Sequence, residues 1–176
     1  GLALNNTAAA LSVNSLTGNS VNIDFSDTSA LTTGTYFLAA GNWSGVTLTC
    51  AEQSYWNVTL TKNTSSLKAI FSLKSDSHIW NGTEDKHQWN AGTFGQDSIS
   101  FGTSDTAVFT DLASGREVAV GTTRTIASLV FDSSRQYTVG NTAGNYVTAA
   151  TLEQLGSGTT IVNGGLKASD IIIKNG

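Results

Sequence analysis

The stretch EVAVGTTRTIASLVFDSSRQYTVG, residues 117–140, holds three short apolar runs separated by small, polar and charged residues. Runs of this length, rich in valine, isoleucine and aromatic residues, are typical of β-strands, and the small polar residues between them are typical of turns. Similar runs follow downstream at intervals of roughly eight to eleven residues. The second half of the chain is therefore predicted to consist of short β-strands joined by turns.

The first half shows the alternation of apolar and polar residues that places one face of a strand in a core. The alternation covers residues 21–25, 46–50, 56–61 and 67–73. One later segment, residues 146–155, is compatible with a short helix or with an irregular coil. The chain as a whole is therefore predicted to be all-β.

Two all-β architectures fit this rhythm, a sandwich and a solenoid of successive coils. Small polar turns such as GNTAGN (residues 140–145) and VNGG (residues 162–165), together with only 12% charged residues, favour the solenoid. When coils stack, residues at equivalent positions lie above one another in a file. Like charges repel in such a file, whereas asparagine and threonine are tolerated there. The pattern alone leaves both architectures open.

Composition excludes several classes of function. The 176 residues carry a net charge of −4, and the nine lysines and arginines are scattered singly, so neither nucleic acid nor an anionic membrane has a basic cluster to bind. No apolar run approaches the roughly 20 residues of a membrane span. One cysteine, Cys50, cannot form an internal disulfide. The chain begins without methionine or signal peptide, which favours a processed product or an excised piece of a longer polypeptide.

The stretch HIWNGTEDKHQWN, residues 78–90, gathers both histidines, two tryptophans and two carboxylates. Zinc ligands lie on rigid elements at defined spacing, which this glycine-containing loop lacks, so no metal site and no cofactor is predicted. No nucleophile elbow is present, and the carboxylate pairs stand in turn-like contexts where aspartate bonds nearby backbone. The candidate carboxylate pairs are Asp24 with Asp27 and Asp105 with Asp111. No catalytic residue is predicted, and the chain is not expected to be an enzyme.

Five motifs occur in a specific order between residues 79 and 140. The motifs are Trp80-Asn-Gly82, Trp89-Asn90, Asp105-Thr-Ala-Val-Phe109, Ile126-Ala-Ser-Leu-Val-Phe-Asp132 and Tyr137-Thr-Val139. This order resembles the opening of an autotransporter-associated β-strand repeat module, found in large bacterial surface and secreted passenger proteins. In the first half, Gly34-Thr-Tyr-Phe-Leu38, Trp56-Asn-Val58 and Leu67-Lys-Ala-Ile-Phe71 are similar to the last strand and closing hairpin of such a module.

The resemblance implies a parallel β-helix whose coils are separated by an antiparallel hairpin or a small sandwich-like closing segment. Residues 1–77 would be the C-terminal end of one module, and residues 78–176 the N-terminal start of the next. It further implies a non-catalytic scaffold, stalk or adhesin at the bacterial cell surface, attached to the outer membrane or secreted. The matched motifs are structural, so they carry no catalytic residues over.

Two other functions stay open. In one, copies of the chain assemble head to tail into a fibre, through Leu2 and Leu4 at one end and Ile171, Ile172 and Ile173 at the other, because uncapped solenoid ends expose core and backbone. In the other, exposed Trp43, Trp80 and Trp89 stack on host or environmental glycans. The expected partners are therefore the chain's own longer polypeptide, further copies of it, or glycans. For the two tryptophans of residues 78–90, the favoured interpretation is that they anchor the loop to the end of a core.

Overall fold

The computed structural model describes residues 11–12, 20–25, 27–83, 88–89, 94, 101–141 and 144–174. The regular secondary-structure elements within these ranges are β-strands. The chain divides into two compact units, Gly1–Lys74 and Ser75–Gly176. No helix in the described ranges is long and apolar enough to cross a membrane.

The first unit contains two pairs of parallel strands. β1 pairs in parallel with β3, and β2 pairs in parallel with β4. Each pairing brings a strand beside one that follows it in the chain after an intervening strand, as in successive coils of a solenoid. The strands of this unit are β1 (Leu11–Ser12), β2 (Ser20–Ile23), β3 (Gly34–Ala40), β4 (Thr47–Cys50), β5 (Trp56–Lys62) and β6 (Ser66–Leu73).

An antiparallel hairpin closes this unit. β5 and β6 pair with each other, and β6 also pairs antiparallel with β3, on the side of β3 away from β1. The hairpin turn is stabilised by Asn63, whose Oδ1 accepts hydrogen bonds from the backbone N–H groups of Ser65 and Ser66 at 2.8 Å. Phe71 of β6 anchors the hairpin, with edge-to-face ring contacts to Phe25, Tyr36 and Trp56.

The second unit is built from two parallel sheets. Their strand orders are β14-β12-β10-β8-β7 and β13-β11-β9, so spatial neighbours are two strands apart in most of the chain. That order is produced by coils that return above one another. The strands are β7 (Ser77–Ile79), β8 (Thr106–Thr110), β9 (Glu117–Val120), β10 (Arg124–Asp132), β11 (Tyr137–Asn141), β12 (Val147–Gln154), β13 (Thr160–Asn163) and β14 (Leu166–Ile173).

Side chains at equivalent positions of successive coils form files along the second unit. The core file of Phe109 and Phe131 is aromatic, with ring centroids 4.7 Å apart and planes inclined by 11°. A second file, Val118–Val139–Val162, follows from the pairing of β9, β11 and β13. A third file carries Ser77, Thr106, Ser128, Thr151 and Asp170.

Three glycines lie where one coil passes tightly over another. A Cβ atom at Gly115 would overlap the backbone of Thr83, and Cβ atoms at Gly156 and Gly158 would overlap the backbones of Ser133 and Arg135. These residues lie between strands, where the chain turns from one face of the coil to the next.

The predicted fold class is confirmed: the chain is all-β, with parallel coils stacked as a β-solenoid and an antiparallel hairpin that follows the coils of the first unit and precedes those of the second along the chain. Residues 147–154 form β12, so neither the short helix nor the irregular coil considered for residues 146–155 is present. Ser77 and His78 both lie on β7 in the second unit. The assignment of residues 1–77 and 78–176 to the end and the start of two repeat modules stays a prediction.

Candidate functional site

Trp80 is fully buried in the second unit. Its indole Nε1–H donates a hydrogen bond to the carbonyl oxygen of Gly115 at 2.9 Å, and its ring contacts those of Phe94 and Phe109 at centroid distances of 5.2 and 5.8 Å. Gly82 lies against the indole so closely that a Cβ atom there would overlap it. This side chain is a packing anchor with its polar atom satisfied.

Trp89 belongs to the same core cluster as Trp80. Its ring contacts Phe94, Phe101 and Phe109 at centroid distances between 5.1 and 5.6 Å. Its backbone N–H donates to the carbonyl oxygen of Ala119 at 2.9 Å, which ties this part of the chain to β9. The structure thus has both tryptophans packed in the core, as the anchor interpretation requires.

The tryptophan positions correct the premise of the glycan-stacking hypothesis. Trp43, Trp80 and Trp89 are 4%, 0% and 2% exposed. A sugar that stacks on an indole needs an exposed ring face, and these rings lie in the two cores. The sequence pattern could not show this for Trp80 and Trp89, because it does not reveal that the distant Phe109 packs against both rings.

His78 and Asp105 form the closest acid–base pair of the described residues in this region. His78 Nε2 and Asp105 Oδ2 are 3.7 Å apart, and the imidazole packs edge to face against Phe101. Asp105 Oδ2 also accepts a hydrogen bond from the Gly102 N–H at 2.6 Å. Among the residues that the structure describes, no three His, Cys, Asp or Glu side chains lie close enough to hold a metal ion. Glu84, Asp85 and His87 lie outside the described residues.

Two of the other candidate carboxylates, Asp27 and Asp111, are hydrogen-bonded to hydroxyl and backbone groups. Asp27 Oδ1 accepts from the N–H and the Oγ–H of Ser29, at 3.2 and 2.8 Å. Asp111 bridges two coils, since it accepts from Ser133 Oγ at 2.5 Å and from the N–H and hydroxyl of Ser134. Asp24 is exposed. Asp27 thus orders a turn and Asp111 joins two coils, as aspartate beside serine commonly does.

Tyr137, in the core of the second unit, has a strongly perturbed pKa. It is 1% exposed, and its hydroxyl donates to the carbonyl oxygen of Thr110 at 2.7 Å. Burial raises the pKa of this phenol well above its ordinary value, with a smaller raising effect of Asp111 and an opposing effect of Arg116. The folded protein therefore favours the neutral phenol.

We expect Tyr137→Phe to flatten the loss of stability at alkaline pH. An unfolded phenol ionises at about pH 10, so unfolding releases a proton above that pH and the free energy of unfolding falls as pH rises further. The variant loses the buried hydrogen bond, about 1–2 kcal/mol at neutral pH, but also loses this titration. Urea unfolding at neutral and alkaline pH measures both effects.

Tyr146→Phe is the matched control, since Tyr146 lies partly exposed with the Lys167 ammonium over its ring. Because Tyr137 remains in this variant, its loss of stability at alkaline pH should persist. An unchanged slope in Tyr137→Phe would contradict the assignment.

Most of the exposed large apolar side chains among the described residues of the second unit lie on β13 and β14. Ile171 and Ile173 are each 67% exposed, and Ile172 is 40% exposed. These are the residues predicted from the sequence for one end of a self-assembling unit, whereas Leu2 and Leu4, predicted for the other end, lie outside the described residues. Ile161 and Val162 extend the surface at 38% and 46% exposure and were not predicted as part of it. The signal that could have found Val162 is its place in the file of Val118 and Val139.

Comparisons of the chain with protein-family models, with curated proteins and with solved structures found no match.

Proposed function

We propose that this chain is a non-catalytic structural segment of a bacterial extracellular or cell-surface β-solenoid protein, similar to an autotransporter passenger, in which it serves as scaffold, stalk or part of an adhesin. The observation that carries the proposal is the coil stack of the second unit, with files of core side chains such as Ala107, Leu129 and Leu152 that run from β8 to β12. A β-solenoid of this kind can hold other parts of a protein at a distance and expose a large surface, and neither role requires a chemical reaction.

The hydrogen-bonding of the acidic side chains supports a structural role. Asp27, Asp105 and Asp111 each accept hydrogen bonds from local backbone or hydroxyl groups, and the Asp111 bridge joins one coil to the next. Carboxylates used in this way stabilise turns and coil stacking.

The order of the elements along the chain supports the resemblance to repeat modules. A hairpin, β5–β6, closes the parallel coils of the first unit, and the aromatic cluster around Trp80 and Trp89 follows at the start of the second unit. The motifs that resemble a module opening thus coincide with the start of a stack of parallel coils. The buried tryptophans do not favour a carbohydrate-binding module, so glycans are not proposed as a partner.

Surface labelling of the producing cells tests the proposal. Antibodies raised against the purified chain should label intact, non-permeabilised cells or the culture medium, and protease treatment of intact cells should remove the cell-bound label. An internal cytoplasmic protein of the same cells is the control, because it should be labelled only after permeabilisation. Labelling confined to permeabilised cells would overturn the proposed location.

A further inference from the structure

Two asparagine–glycine pairs lie among the described residues, Asn81–Gly82 after β7 and Asn163–Gly164 between β13 and β14. In such a pair the backbone nitrogen of glycine can attack the side-chain carbonyl carbon of asparagine, because glycine has no side chain that hinders the close approach. The attack requires a free asparagine amide and a main chain that can rotate between the two residues. The structure meets both requirements at one pair and only the first at the other.

Asn163 is the last residue of β13, and its side chain is exposed. The preceding Val162 belongs to the file of the buried Val118 and Val139, so Asn163 projects from the opposite face of the strand. Gly140, its partner on β11, is also partly exposed, although β9 and β13 pair with both sides of that strand. The exposure of Asn163 is therefore on the side of the coil stack and does not depend on what lies at its end.

The turn after Asn163 consists of two successive glycines. Gly164 and Gly165 have φ angles of 100° and 85°, a region of backbone conformation that glycine enters without steric cost. Gly164 is exposed, and the side-chain amide of Asn163 has no hydrogen-bond partner among the described residues. The main chain can therefore rotate between Asn163 and Gly164 without displacing a packed side chain.

Asn81 is exposed as well, but the main chain on both sides of it is held. The N–H of Trp80 donates to the carbonyl oxygen of Val108 at 2.7 Å, and the carbonyl oxygen of Gly82 accepts from the N–H of Gly115 at 2.9 Å. Gly82 is buried against the indole of Trp80, where a Cβ atom would overlap the ring. Rotation that brings the Gly82 nitrogen to the Asn81 amide would pull this glycine off the indole.

We propose that Asn163 is a site of spontaneous deamidation, with water as the only co-reactant. The Gly164 nitrogen, after loss of its proton, bonds to Cγ of Asn163. The Cγ–Nδ2 bond then breaks, and Nδ2 leaves as ammonia, so that a succinimide ring is formed. Water adds to one of the two ring carbonyl carbons and breaks its bond to nitrogen. Addition at Cγ gives aspartate, and addition at the backbone carbonyl carbon gives isoaspartate.

Both products place a carboxylate at residue 163. Isoaspartate also lengthens the main chain by one methylene group, because the chain then runs through the former side chain. This change lies at Gly140–Asn163, the last pair of β11 with β13. We therefore expect the melting temperature of the chain to fall as isoaspartate accumulates. The inference goes beyond the proposed function and does not depend on it.

Mass spectrometry of the aged protein tests the site. The purified chain is incubated at mildly alkaline pH, which favours loss of the amide proton, and is then digested with trypsin. Asn81 and Asn163 fall in separate peptides, residues 75–86 and 136–167, and fragmentation of each peptide locates the modified residue. In the folded chain Asn163 should react at least about tenfold faster than Asn81, because only Asn81 must wait for a packed segment to open.

The same incubation in urea is the control for the role of the fold. Unfolding releases Gly82 from the indole, so the two rates should become similar. Absence of the reaction at Asn163 in the folded chain would overturn the proposal. Equal rates at Asn81 and Asn163 in the folded chain would also overturn it.

Asn163→Gln is the matched control variant for the effect on stability, because the longer side chain closes the corresponding ring far more slowly. After the same incubation this variant should keep its melting temperature, whereas the unmodified chain should lose part of it. Asn163→Asp carries the charge without the added methylene group and should melt above the aged chain. Equal melting of Asn163→Asp and the aged chain would contradict the expected effect of the longer main chain.

Discussion

Phe109→Ala is expected to destabilise the second unit by about 3–5 kcal/mol. Phe109 is fully buried on β8, stacks on Phe131 and contacts the rings of Trp80, Trp89 and Tyr137. The truncation removes contacts to two coils and to the aromatic cluster at once, and the backbone pairing on both sides of β8 prevents the cavity from collapsing. Urea unfolding, followed by tryptophan fluorescence, measures the loss.

Leu112→Ala is the matched control for this truncation. Leu112 lies three residues away and is 47% exposed, so its loss should change the free energy of unfolding by no more than about 0.5 kcal/mol. Equal effects of the two substitutions would contradict the central place of Phe109 in the core.

Gly156→Ala is expected to destabilise the same unit by about 3 kcal/mol, the upper part of the range for overpacking. The added methyl group would overlap the backbone nitrogen, carbonyl carbon and oxygen of Ser133 in the preceding coil, and backbone cannot rotate away as a side chain can. A local shift would also strain the hydrogen bonds from the N–H groups of Leu155 and Gly156 to the Phe131 carbonyl. Thermal and urea unfolding of the variant measure the effect.

Gly140→Ala gives the comparison, because a Cβ atom at Gly140 meets no atom within 4 Å. Its substitution should be neutral or stabilise by about 0.4–1 kcal/mol through the unfolded state. If Gly156→Ala and Gly140→Ala were equally tolerated, that result would contradict the close packing of Gly156 against the preceding coil.

The strands with strict alternation could be predicted from the sequence, and β12 shows why others could not. Its inward residues are Val147, Ala149, Leu152 and Gln154, so the spacing changes from two to three where the coil turns a corner. A spacing of three between apolar residues is also typical of a helix, and alanine, leucine, glutamate and glutamine are good helix formers. Pairing with β10 on one side and β14 on the other overrides that preference.

The surroundings of individual side chains were less predictable. Trp80 is buried by Gly115, Phe94 and Phe109, and Asp111 bonds Ser133 and Ser134 more than 20 residues away. Such contacts depend on which coil lies above which. A local pattern can identify a tryptophan as an anchor or as a binding platform, but only the long-range pairing decides between them.

The coils of the second unit differ in length although their strands stay in register. Ser77, Thr106, Ser128, Thr151 and Asp170 share one file, yet the coil from Ser77 to Thr106 is the longest and the coil from Thr151 to Asp170 the shortest. Stacking therefore constrains which residues of neighbouring strands pair, and it leaves the length of the segments between strands free to vary. We therefore expect that residues inserted between two strands would leave the strand pairing in register, and that a foreign peptide inserted into such a connection would be displayed while the paired strands beneath it remain intact.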